Sequence, residues 1–131
     1  RLKNYELYQF RLAVSYFNSD QHDAAFKLFD QMSSNPNHAH FVKSFYYLGL
    51  INFERKNWSR SIAYWNEYIQ LEKRRDEIVK TKFLMGNAYE TMERLKEAYN
   101  IYYSLLGEYP NTEVIKARLA SIYERKIARK R

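Results

Sequence analysis

Apolar residues recur three and four positions apart along nearly the whole chain: Leu7, Phe10, Val14 and Phe17, then Ala25, Leu28, Phe29 and Met32, then Phe41, Phe45, Leu48 and Ile51. Such spacing gathers side chains on one side of an α-helix, where a half-buried strand would alternate. Polar breaks at 18–22, 33–38, 55–57, 73–76, 91–94 and 107–111 divide the pattern into seven predicted helices. Asn57, and Asn111 or Thr112, precede two of them, where a short polar side chain can accept the orphan amide hydrogens of a first turn. Gly107 with Pro110 suits a helix end. Three glycines and two prolines are too few for the tight turns of an all-β fold. The predicted class is all-α.

The helices repeat. Ala13, Gly49 and Gly86 align, followed by Tyr16, Asn52 and Tyr89, and then by Ala25, Ser61 and Ala98, with periods of 36 and 37. Units of about 6–41, 42–78 and 79–112 follow, with a terminal helix over 113–131. Two helices per unit at that period predict an α-solenoid of three helix hairpins plus a C-terminal helix, in which neighbours bury one continuous core. The small residues are expected where the two helices of a hairpin cross most closely, with large rings filling the flanking grooves.

The third unit resembles a tetratricopeptide repeat through Gly86-Asn87-Ala88-Tyr89, Leu95, Ala98, Tyr99, Tyr102, Leu105 and Pro110. The second matches at Leu48-Gly49, Trp58, Ser61, Tyr64, Trp65 and Tyr68, and departs at Asn52, where an aromatic is usual, and at Lys73, where the closing proline is missing. The first matches at Leu12-Ala13, Tyr16, Ala25 and Phe29, with Pro36 displaced by one. Residues 113–131, with Leu119-Ala120 and Tyr123, resemble the first helix of a fourth unit.

The resemblance implies a non-catalytic scaffold or adaptor whose concave groove, lined by the first helix of each hairpin, binds a partner protein. Carried onto this chain, that rule selects Leu7, Phe10, Arg11, Val14 and Phe17 in the first unit. It selects Lys43, Tyr46, Tyr47, Leu50, Phe53 and Glu54 in the second, and Lys80, Phe83, Leu84, Asn87 and Glu90 in the third. The implied groove is apolar and aromatic toward its N-terminal half, a surface for an amphipathic helix or an extended peptide, as in a multiprotein complex. Rings in such stripes also serve the core. Members that grip acidic chaperone tails use a lysine and an asparagine in the first unit, where this chain has Phe10 and Val14, so that clamp is absent. The segment 99–113, YNIYYSLLGEYPNTE, resembles repeats of the bacterial outer-membrane assembly lipoprotein and of the Tol-Pal-associated protein. That second likeness favours assembly of an envelope complex in the periplasm or cell envelope over a cytoplasmic role.

Charge redirects the reading at one end only. The chain carries +7, and residues 114–131 hold Lys116, Arg118, Arg125, Lys126, Arg129, Lys130 and Arg131 against Glu124 alone, or +6 of the total. Arg118, Arg125, Lys126, Arg129, Lys130 and Arg131 form a candidate basic patch for an anionic membrane surface or nucleic acid. It also fits a solvating cap or an incomplete fourth repeat. A nucleic-acid-binding helical repeat is the alternative function, since Ala25 to Met32 (AFKLFDQM) also resembles a pentatricopeptide repeat. Phe10, Tyr46 and Phe83 stand where base-reading polar side chains would be needed, which disfavours it. The start at Arg1 without Met fits a piece of a longer protein.

Candidate chemistry is sparse. No cysteine is present, and no apolar run reaches the roughly 18 to 20 residues that span a bilayer. There is no glycine-rich phosphate loop, no G-x-S-x-G elbow and no H-E-x-x-H pair. His38 and His40 read as solvated loop residues rather than metal ligands, and Glu90 and Glu93 as surface charge. No cofactor, metal or catalytic residue is expected. The sequence leaves the oligomeric state open.

Overall fold

A computed structural model describes residues 2–130. These form seven helices, α1 (Leu2–Asn18), α2 (His22–Ser33), α3 (Phe41–Glu54), α4 (Trp58–Leu71), α5 (Arg75–Thr91), α6 (Leu95–Ser104) and α7 (Thr112–Lys130), with no strand among the described residues. The all-α class read from periodicity holds. Two compact units divide the chain, Arg1–Leu71 and Glu72–Arg131.

In the first unit α1 packs on α2, α2 on α3 and α3 on α4, the nearest-neighbour order of a helical solenoid. Ala13, Ala25, Phe29, Met32, Leu48 and Ile51 form its core cluster. The α3/α4 hairpin closes where Gly49 meets Trp65: a β-carbon at Gly49 would overlap the indole. Ser61 Oγ donates to the Gly49 carbonyl at 2.9 Å and Trp65 Nε1 to the Tyr46 carbonyl at 3.1 Å. The aligned small residues are therefore the contact points of the crossing helices.

The second unit repeats the device. A β-carbon at Gly86 would lie 2.5 Å from Tyr102 Cε1. Val79, Leu95, Ala98, Tyr102, Leu105, Ile115 and Ile122 form the core of α5, α6 and α7. Asn111 Oδ1 accepts the Val114 N–H at 3.2 Å and so caps α7. Helix α6 ends at Ser104, short of the predicted break at 107, because buried Leu105 already belongs to tight turns, its N–H bonded to the Tyr102 carbonyl at 2.9 Å.

Three hairpin turns have one geometry. Gln21, Asn57 and Arg94 donate their N–H groups to the carbonyls of Tyr16, Asn52 and Tyr89 at 2.9, 2.8 and 2.9 Å. The residue before each donor is left-handed: Asp20 at φ 60°, Lys56 at 64° and Glu93 at 58°. Each turn is a Schellman closure that satisfies end carbonyls, with a charged residue where glycine is favoured. Asn52, the residue without its usual ring, is 2% exposed and donates Nδ2 to the Leu48 carbonyl at 2.8 Å.

Candidate protein-interaction faces

The first unit sets α1 beside α3 through rings. Phe10 stacks on His40 at 4.2 Å and meets Tyr47 edge-on at 5.8 Å. Tyr47 stacks flat on buried Phe29 at 4.8 Å and meets Phe17 edge-on at 5.8 Å. Phe10, Val14, Phe17 and Tyr47 thus pack against the core while half-buried, serving the fold and the surface together. Leu7, Arg11 and Glu54 are exposed and Leu50 is half-buried. Lys43 holds its ammonium 4.5 Å above the Tyr46 ring and donates to the Tyr68 hydroxyl at 3.3 Å. Phe53 is engaged by the other helix of its hairpin, edge-on to Trp58 at 4.9 Å and 5.9 Å from Trp65.

The loop that leads into α3 is docked rather than solvated, which corrects the reading of its histidines. His38 is 8% exposed; its Nδ1 accepts the His40 N–H at 3.0 Å, so the proton sits on Nε2, which donates to Gln9 Oε1 at 2.9 Å. Glu6 Oε1 accepts the Ala39 N–H at 3.1 Å. Burial, and then His38, hold His40 below the ordinary histidine value. Two sequence-distant residues of α1 therefore fasten a loop whose composition alone suggested solvent.

The second unit joins α5 to α7 by charge. Glu90 accepts from Arg118 Nη1 at 3.2 Å, from Arg125 Nη1 at 2.8 Å and from the Tyr102 hydroxyl at 3.0 Å. Glu93 accepts from Arg125 Nη2 at 2.7 Å and Arg129 Nη2 at 3.3 Å, and its carbonyl, beyond the end of α5, accepts from Arg129 Nη1 at 3.3 Å. That carbonyl contact adds the favourable pairing of a cation with a helix C-terminus. Asn87 lies 2.6 Å from the Tyr102 hydroxyl, whose pKa burial and Glu90 push well above the usual tyrosine range. Phe83 stacks on Tyr109 at 4.6 Å beneath the Arg118 guanidinium, 5.6 Å away. Leu84 is half-buried, and Lys80 is bonded to Glu77 at 3.0 Å.

Members of two predicted groups, Phe83, Asn87 and Glu90 of the groove positions and Arg118, Arg125 and Arg129 of the basic patch, thereby become one network. This corrects the picture of a free cationic stripe: Arg118, Arg125 and Arg129 neutralise Glu90 and Glu93, which in turn are more than surface charge. Lys126 lies 5.4 Å above the Tyr99 ring, Lys130 is exposed, and Arg131 falls outside the described residues. Nothing in the pairing singles out phosphate. Among the described residues no helix is long and apolar enough to cross a membrane, and no three of His, Asp and Glu are grouped to hold a metal ion.

Residues 8–38 and 81–112 match the tetratricopeptide repeat family model. No curated protein matches the chain.

Proposed function

From the premise that the two matches make this a tetratricopeptide-repeat domain, of a family that generally mediates protein–protein contact, we propose that the chain is a non-catalytic adaptor. On this reading 1–131 is one repeat domain with units at 6–41, 42–78 and 79–112 and a terminal helix at 113–131. Its partner is the apolar side of a helix or an extended peptide, received by α1 and α3 over Leu7, Phe10, Tyr46, Tyr47 and Leu50. The observation that carries this is the set of half-exposed rings on that pair of helices, next to the exposed Leu7 and Arg11. Half-exposed rings gain further burial from a partner at little entropic cost, because their packing already fixes them. An assembly role in a bacterial envelope is supported by the 99–113 segment alone.

Tyr46 and Leu50 are the residues to change, since neither belongs to the core cluster, whereas loss of Tyr47 would uncover Phe29. Peptides selected from a displayed random library against the wild-type chain are expected to bind Tyr46→Ala and Leu50→Ala about tenfold more weakly, which is about 1.4 kcal/mol. Unchanged affinity in both variants, with helical circular dichroism intact, would remove α1 and α3 from the binding face.

A further inference from the structure

Tyr16, Asn52 and Tyr89 hold the same place in the three hairpins, and their carbonyls close the three turns alike, at 2.9, 2.8 and 2.9 Å. The two tyrosines pack their rings against the cores of their units. Asn52 has no ring to offer. Beside it lies a cavity of about 420 Å³, lined by Phe26 of α2, by Asn52 and Arg55 at the end of α3, and by Arg60, Ala63 and Tyr64 of α4. All six residues belong to the first unit, so the cavity is a gap inside the repeat array and not one of its ends.

The lining sorts by depth. Asn52 is buried, Phe26 and Tyr64 are half-buried walls fixed by their packing on the core cluster, and Arg55, Arg60 and Ala63 are exposed. Asn52 Nδ2 donates to the Leu48 carbonyl and its Oδ1 receives Asn57 Nδ2 at 3.4 Å, which leaves one N–H and one lone pair of the amide for a ligand. The charge is of one sign: among the described residues no carboxylate lines the cavity, and its two charged side chains are arginines. Arg55, 5.4 Å from the Phe26 ring, is paired with Asp23, whereas Arg60 forms no ion pair among the described residues. Burial, and then Asp30, raise the Tyr64 hydroxyl above the ordinary tyrosine value while Arg60 pulls it back, so Tyr64 stays neutral.

We propose that this cavity binds a small aryl carboxylate with a hydroxyl at the far end of its ring. The ring lies against Phe26 and Tyr64, the hydroxyl meets the Asn52 amide, and the carboxylate meets Arg60. The ring is argued from the walls and from the two hairpins in which the same place supplies a tyrosine ring of its own. The anion is argued from the unmatched Arg60. A volume of this size takes one small molecule and not a helix about 10 Å across. Tyr46 and Leu50 do not line the cavity, so this site and the α1/α3 face can fail separately.

The test titrates 4-hydroxyphenylacetate into the isotope-labelled full chain and follows its amide resonances. Binding is expected with a Kd of about 1 mM, as befits a single-ring ligand, with shifts centred on Asn52, Arg55, Arg60 and Ala63. Tyramine, the same ring with an ammonium group, is expected to bind about tenfold more weakly. Arg60→Gln is expected to weaken the acid about fivefold and to leave neutral 4-methylphenol unchanged. Asn52→Tyr puts the ring of the other hairpins into the cavity, and Ala63→Trp covers it from an exposed position. Each is expected to weaken binding about tenfold with helical circular dichroism intact, and Tyr46→Ala to leave it unchanged. Absence of shifts at these residues, equal binding of tyramine, or full binding by a folded Asn52→Tyr or Ala63→Trp chain would overturn the proposal. So would tighter binding of a capped Gly-Tyr-Glu-Gly peptide, since the ring would then belong to a partner chain.

Discussion

The two units join their hairpins' first helices with opposite chemistry. Between α1 and α3 lie Phe10, Phe17, Phe29 and Tyr47, stacked or edge-on. Between α5 and α7 lie Glu90 and Glu93, held by Arg118, Arg125 and Arg129. Within each hairpin the device is constant, a small residue under a ring, at Gly49 as at Gly86. What varies is the contact from hairpin to hairpin, which on the proposed reading is also the contact a partner touches. Rings give non-directional attraction that salt leaves alone and that a ligand's side chains can extend. A carboxylate shared by two guanidiniums fixes register and leaves little acceptor capacity for a ligand. On that reading the aromatic pair is the better receptor and the ionic pair the better brace.

The comparison breaks most visibly at Phe29. Truncating this fully buried ring, Phe29→Ala, should cost about 3 to 5 kcal/mol in urea unfolding, with little change between 0.05 and 1 M salt. A loss below about 1 kcal/mol would mean that the rings do not hold the first unit together. On the ionic side, Glu90→Gln leaves Arg118 and Arg125 short of a charge while keeping the shape. Because the arginine side chains are 40% and 34% exposed, solvent screens the pair. The expected loss is about 1 kcal/mol at low salt, shrinking as salt rises. A salt-independent loss of the same size would show that Glu90 acts through the Tyr102 hydroxyl, not through the arginines.

How far the sequence carried depended on how local each feature is. Helical spacing and the placing of small residues such as Gly49 and Gly86 at the helix crossing, beside large rings, are properties of one hairpin, and the structure contains both. The hairpin turns were located by polarity, but their left-handed Asp20, Lys56 and Glu93 were not foreseen, because no glycine marks them. The Glu90 network joins residues 28 and 35 positions apart that belonged to two unrelated readings, a groove position and a basic tail. Placing α7 beside α5, as the fourth-unit resemblance allowed, was the available signal. His38 looked solvated because its loop is polar, and its hydrogen-bond partner Gln9 is 29 residues away. A stripe of rings, finally, does not say which of them a neighbouring helix will cover: Tyr47 lies flat on Phe29, while Tyr46 carries Lys43.

A smaller effect of the opposite sign tests what the units share. Lys56 at φ 64° is exposed, and its backbone is disfavoured for a residue with a β-carbon. Lys56→Gly relieves that strain against the extra entropy of an unfolded glycine, for an expected gain of about 0.5 kcal/mol. Glu93→Gly, at the same position of the third turn, relieves the same strain but removes the partner of Arg125 and Arg129, so its gain should vanish at low salt and return at high salt. Equal gains at both positions under both conditions would mean that Glu93 braces nothing.

The smallest effect is confined to the aromatic side and is read by pH. Burial comes first and His38 second in holding His40 below its ordinary 6.5, with Glu6 pulling the other way. The unfolded chain therefore binds a proton at His40 at a higher pH than the folded chain does. Between those two values the unfolded state carries more protons, so stability falls as pH drops below about 6.5. Replacing the imidazole with a ring that keeps the stack on Phe10 but cannot titrate, His40→Phe, removes this contribution without opening a cavity. Thermal unfolding at pH 7.5 and 5.5 should then show a smaller acid-induced fall in Tm for His40→Phe than for the wild type. Equal falls would place the acid sensitivity elsewhere than at the ring stacked between α1 and the start of α3.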